Sequence, residues 1–176
     1  MGVDTVVGDV TSTKNSLKEV QFRESILAVQ DGMLCLAAEG KIKNNLPDCK
    51  LTHYYSPIDK NYGCGTYARQ MFIPKGTLII GKIHRHQHLN FIMQGKVSVS
   101  TEFGPKYFEA PCIFVSEVGL KRAVIAEEDT IWVTVHITKH LGEENLAKME
   151  EEVISPTYQE LGLISSTQDL LLENRA

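Results

Sequence analysis

The sequence predicts an all-β core, a single antiparallel β-barrel with N- and C-terminal helical extensions, and three observations predict it. From Leu51 onward, short runs of β-branched and aromatic residues alternate with Gly, Pro, Asn and Asp turns. The runs recur about every eight to ten residues, which leaves no room for crossover helices and makes the sheets antiparallel. On either side of this region the apolar residues fall back to a period near 3.6.

Residues 1–49 form an arm and a helical segment. Met1 to Asn15 is polar, without usable periodicity, and reads as a loose arm. Leu17, Val20, Ile26 and Leu27 then suit an interrupted helix that stops at Asp31-Gly32. Residues 50–140 carry the barrel, with strands expected at Leu51 to Tyr55, Thr66 to Ile73, Leu78 to Ile83, His84 to Gln94, Lys96 to Thr101, Lys106 to Ala110, Cys112 to Val115, Arg122 to Ala126 and Thr130 to Thr138. Pro74-Lys75-Gly76 and Phe103-Gly104-Pro105 are the clearest turns. Residues 141–176 form a helical extension. A helix over Glu143 to Val153 is acidic in its first turn and ends at Ser155-Pro156, and a second short helix would carry Leu161, Leu163, Leu170 and Leu171.

A chain of 176 residues, 43% hydrophobic, accommodates one core-forming domain with tails. Its formal charge of -4 offers no basic footprint, which disfavours long nucleic acid as a partner and leaves a small phosphorylated ligand open. The four cysteines show no CxxC spacing and read as reduced thiols rather than a zinc knuckle or a disulfide framework. No apolar run approaches the roughly 20 residues that span a bilayer, and no secretory signal is evident, so no membrane partner and a cytoplasmic location are expected.

The chemistry concentrates in GKIHRHQHLNFIMQG, residues 81–95. On an unbroken strand His84, His86, His88 and Asn90 project from one face, because side chains two apart share a side. Burying several imidazoles without a ligand would leave donors and acceptors unsatisfied, so the cluster points to a pocket. Two chemistries stay open. In one, His84, His86 and His88 hold a divalent transition metal, with His136 as a further ligand. In the other, His88 and His136 act as an acid/base pair, since imidazole titrates near pH 6.5, with Asn90 and Thr138 two residues beyond them on the same faces. Arg69 and Arg122, or its neighbour Lys121, could meet a phosphate, and Tyr67 and Trp132 could stack on a base.

Pro74-x-Gly76, the His-x-His strand and Gly95, eleven residues beyond His84, together resemble the first motif of the cupin superfamily, and Gly104 to Arg122 resembles the second. The resemblance implies a cupin-like jelly roll around a ligand pocket. It departs from the pattern twice: the glutamate of the first motif is replaced near His88, and Lys121 or Arg122 stands near the histidine of the second. The stretch YARQMFIPKGTLIIGKIHRHQHLNFIMQGKVSV followed by EDTIWVTVHIT is also similar to small cupin-like proteins of tailed bacteriophages. That likeness implies work inside an infected bacterium and cleavage of a small nucleotide, a host immune signal, by His88 and His136. The paired His-x-Asn and His-x-Thr are similar to the His-x-Thr/Ser pair of two-histidine phosphoesterases. The alternatives are a metal-dependent cupin enzyme on another small molecule and a non-catalytic binder that sequesters its ligand. A homo-oligomer is expected in each case.

Overall fold

Strands form where the alternation is strongest, and in chain order they are β1 (Lys50–Tyr55), β2 (Gly65–Ile73), β3 (Leu78–Ile80), β4 (Ile83–His84), β5 (His88–Gln94), β6 (Lys96–Thr101), β7 (Gly104–Glu109), β8 (Cys112–Ser116), β9 (Ala123–Ala126) and β10 (Thr130–Thr138). The computed structural model describes residues 17–163, so the expected arm and the Leu170-Leu171 segment lie outside the described residues. One sheet runs β1-β2-β10-β5-β8 and the other β3-β9-β6-β7, with every pairing antiparallel. Setting aside β1, the orders 2-10-5-8 and 3-9-6-7 are those of an eight-stranded jelly roll, a cupin-like barrel.

The two sheets close on a core of Ile73, Ile92, Val97, Val99, Val124, Ala126 and Trp132. A fully buried side chain of this size contributes about 1.5–3 kcal/mol. Stability therefore concentrates at this end of the barrel, and the other end is free to hold polar groups. Gly95 turns β5 into β6 at φ 82°, where a Cβ would press into the backbone of Asp129.

The expected strand from His84 to Gln94 is broken. Residues 85 and 86 form a bend, and β4 pairs with β11 (Ile154–Ser155) instead of the main sheet. Arg85 is the cause: its backbone N–H donates to the Val153 carbonyl at 2.8 Å and its Nε to the Ile154 carbonyl at 2.9 Å. Its Nη2 reaches Glu160 at 2.6 Å. The C-terminal extension is helical as expected, in α2 (Leu146–Val153), preceded by a 3-10 turn over Glu143–Asn145. The described part of the second expected helix is a 3-10 turn at Gln159–Leu161.

The N-terminal helix also differs from expectation. It runs unbroken as α1 (Leu17–Ala38), straight through Asp31-Gly32. A glycine within a helix costs only about 1 kcal/mol relative to alanine, and Met33 to Ala38 are mostly good helix formers. The true stop is Gly40, at φ 69°, where the Lys41 N–H donates to the Leu36 carbonyl and the Gly40 N–H to the Ala37 carbonyl. Among the described residues no helix is long and apolar enough to cross a membrane.

Arg23 ties this helix to the barrel. Its guanidinium donates twice to Glu102, at 2.6 and 2.8 Å, with the two side chains 4% and 3% exposed. It also donates to the Leu163 carbonyl and lies 5.5 Å from the centroid of the Tyr158 ring. Removing one partner from a buried pair strands the other charge, which typically costs about 3–5 kcal/mol. Glu102→Ala is therefore expected to lower unfolding free energy by about 3 kcal/mol, read from the urea midpoint; an unchanged midpoint would show that the pair carries no weight.

Candidate functional site

The inner face of the five-stranded sheet is graded by register. Its deepest rung is Met71, Trp132, Ile92 and Cys112; the next is Arg69, Thr134, Asn90 and Phe114. The outermost pairs Tyr67 with His136 and His88 with Ser116, and the Val135–Leu89 pairing carries His136 alongside His88. Period-two alternation thus delivers oil at the bottom of the barrel and imidazoles at its mouth. His84 arrives from β4, held by the β11 pairing and by the Gly119 N–H, which donates to its carbonyl at 2.8 Å.

Three imidazoles converge. Ring centroids lie 4.1 Å apart for His84 and His88, 4.6 Å for His88 and His136, and 5.1 Å for His84 and His136. One ring nitrogen from each lies within 4.8 Å of the others. His88 Nδ1 sits 3.2 Å from the His86 carbonyl, which only accepts, so Nδ1 carries the proton and Nε2 presents a lone pair. The Nδ1 atom of His84 is sealed from solvent and has no partner.

Burial first, and then the neighbouring imidazoles and guanidiniums, drive the titrations down. His84 is lowered to about 2 and His136 to about 3. His88 falls to about 4, with burial lowering it and the His86 carbonyl pulling the other way. All three rings are neutral at pH 7, the form that ligates metals.

Beside them lies a cavity of about 90 Å3, walled by Arg69, Arg122, His84, His88, Asn90 and Thr134, with Met71, Ile79 and Trp132 on its apolar side. No carboxylate lines it, and among the described residues neither guanidinium is ion-paired. Arg122 Nη2 donates to Ser116 Oγ, and its guanidinium lies 5.4 Å from the Phe114 centroid and 5.7 Å from that of Trp132. Burial lowers Arg122 to about 10, which still leaves it charged at neutral pH. The Thr134 hydroxyl is buried and has no partner.

Several expected residues play other parts. His86 is exposed on the bend and stands outside the imidazole cluster, because the chain leaves the strand at Arg85. Thr138 turns away: its hydroxyl donates to Glu152 at 2.7 Å and anchors α2. Asn90 is committed as well, accepting from Trp132 Nε1 at 3.0 Å and donating to the His88 carbonyl at 3.3 Å. Tyr67 stacks behind His136, with centroids 6.3 Å apart, and shares a 2.8 Å hydrogen bond with His53 Nδ1. Trp132 is a wall already faced by Arg122 and Phe114. Lys121 points to the Gly81 carbonyl at 2.6 Å, so of these two neighbours it is Arg122 that lines the cavity, with Arg69 and Lys82. Thr134 and Ser116 escaped the sequence reading, although Thr134 shares the inward alternation of His136 and could have been found from it.

The residues fit a divalent transition metal. Three neutral imidazoles are a common donor set for zinc, iron, copper or nickel, and the orphaned Nδ1 of His84 is a buried lone pair or proton without a partner. A metal held by these three side chains would keep room for a further ligand.

No protein-family model matches the chain, and no curated protein does. Solved structures with a similar barrel include KdgF from Halomonas sp., with a TM-score of 0.44 at 14% identity over 58% of this chain and 88% of that one. The cupin domain of Cnp3 from Schizosaccharomyces pombe has a TM-score of 0.41 at 12% identity, over 62% and 70%. Ectoine synthase from P. lautus has a TM-score of 0.41 at 14% identity, over 57% and 72%.

The lowered histidines make a pH prediction with a definite sign. Unfolded histidine titrates near 6.5, so as pH falls below that value the unfolded chain takes up protons that the folded chain refuses. Stability of the metal-free protein should decline from about pH 6.5 towards 4, by up to about 1.4 kcal/mol per pH unit for each proton. Thermal melts from pH 7.5 to 4 should show this slope, shallower in His136→Gln; equal slopes in the two proteins would contradict the lowered titration.

Proposed function

We propose that this chain is a small-molecule-binding protein that holds a divalent transition metal on His84, His88 and His136 and receives an organic anion against Arg69 and Arg122. The observation that supports this reading is one cavity with neutral imidazoles on one wall, two guanidiniums free of carboxylates beside them, and no acidic residue. A bound metal would act there as a Lewis acid towards a ligand oxygen. The chain's own residues do the rest. Arg122, braced by Ser116 and two aromatic faces, offers a fixed fork to a carboxylate or phosphate. Arg69 adds charge from β2, where it pairs with Thr134 of β10, and Thr134 has an unused hydroxyl for the same ligand. Met71, Ile79 and Trp132 shelter its apolar body and exclude water.

A second reading rests on the 4.6 Å contact of His88 with His136. The two imidazoles, flanked by guanidiniums, would serve as base and acid towards a small phosphoester such as a nucleotide signal. One ring must then be protonated, which its low intrinsic titration resists until a phosphate arrives to raise it.

Elemental mass spectrometry on untagged protein separates the two. About one transition metal per chain, lost in His88→Ala and in His136→Ala, supports the first reading. Metal-free protein that cleaves cyclic or linear nucleotides in the presence of chelator supports the second and sinks the first. Arg122→Gln should keep its metal and bind small carboxylates or phosphate at least tenfold more weakly by calorimetry; unchanged affinity would remove Arg122 from the anion site.

A further inference from the structure

The side of the five-stranded sheet that faces away from the cavity is as apolar as a core. Register sets two complete rungs across its last three strands: Val115, Leu89 and Val135, then Ile113, Phe91 and Val133. Met93 and Ile137 extend the patch along β5 and β10. Ile137, Ile113 and Met93 are 69%, 65% and 60% exposed. No charged side chain interrupts these two rungs; towards β2 and β1 the face mixes Ala68, Phe72 and Tyr54 with Thr66, Gln70 and Thr52, and Lys50 adds a charge at its edge opposite Phe72. An alternating strand of a solvated sheet would carry polar residues here. Exposed apolar patches of this extent mark interaction sites in soluble proteins.

We infer that this face is covered by the same face of a second copy of the chain, in a two-fold dimer. The area suits that occupant. The whole face, apolar rungs and mixed β1-β2 edge together, is five strands about 4.8 Å apart, each giving about six residues at about 3.4 Å, or roughly 500 Å2 in projection before side-chain relief is counted. A standard interface buries about 800 Å2 of accessible surface per partner. The chemistry suits it as well. An apolar sheet face packs well on another apolar sheet face at about 10 Å, and a two-fold axis supplies one while leaving the Lys50 edge at the rim. The interface stands directly behind β5 and β10, the strands that carry His88 and His136, so it would stiffen the site from outside. It does not rest on the metal reading and holds whichever chemistry occupies the cavity.

Sedimentation equilibrium of the full chain from 1 to 200 μM tests it. Wild type is expected at dimer mass, and Met93→Asp with Ile113→Asp at monomer mass, with dissociation strengthened at least 100-fold. A gentler pair, Ile113→Thr with Val115→Thr, keeps the β-branched shape and should weaken the dimer at least tenfold while circular dichroism stays that of wild type. A wild type that is monomeric throughout overturns the inference and leaves the face to another partner. A dimer that survives both sets of substitutions overturns it too, by placing the interface elsewhere.

Discussion

Strand β10 is hydrogen-bonded on both sides, to β2 and to β5, and the register of those two ladders decides what every inward residue of the barrel does. Trp132 is placed in the deepest rung beside Met71 and Ile92, Thr134 in the middle beside Arg69 and Asn90, and His136 at the mouth beside Tyr67. A slip of one residue would turn His136 out to solvent and Ile137 in, since strand side chains have period two. The register is held by the apolar rung, where Trp132 and Ile92 lock into the core, and by the tight return at Gly95. Packing at one end of the barrel thus positions the chemistry at the other.

The electrostatics follow from the same gradient. Imidazoles near the apolar core are desolvated, and each is surrounded by other cations or other imidazoles, so protonation is opposed from two directions. Arginine tolerates the same environment because its charge is delocalised and its faces stack on Phe114 and Trp132. The outcome is a cavity whose histidines stay neutral while Arg122 stays charged. That combination offers lone pairs and positive charge to one ligand, with no competing carboxylate from the described residues.

His84 shows how much of the site comes from outside the barrel sheets. Its short strand is paired by Ile154 and Ser155, and the bend that follows is held by Arg85 on the C-terminal extension. Helix α2 is moored in turn by Glu152, which accepts from Thr138. The extension that reads as packing in the sequence therefore sets the position of one of the three imidazoles.

Much of the barrel is written in local pattern. The bounds of Lys96 to Thr101 and Thr130 to Thr138 and the Gly95 turn follow from alternation and turn chemistry, which act between near neighbours. The helical ends are legible in the same way. What tertiary structure alone decided is which histidines meet. His86 alternates correctly with His84 and His88, yet it leaves the cluster because Arg85 finds its partners some 69 residues downstream. Thr138 alternates correctly with His136, yet it serves Glu152 on a later helix. Helix α1 passes its apparent stop because a single glycine costs less than the turns it would end. Period and propensity reach only a few residues along the chain, whereas the bend, the sheet order and the convergence of three imidazoles are set by contacts between distant segments.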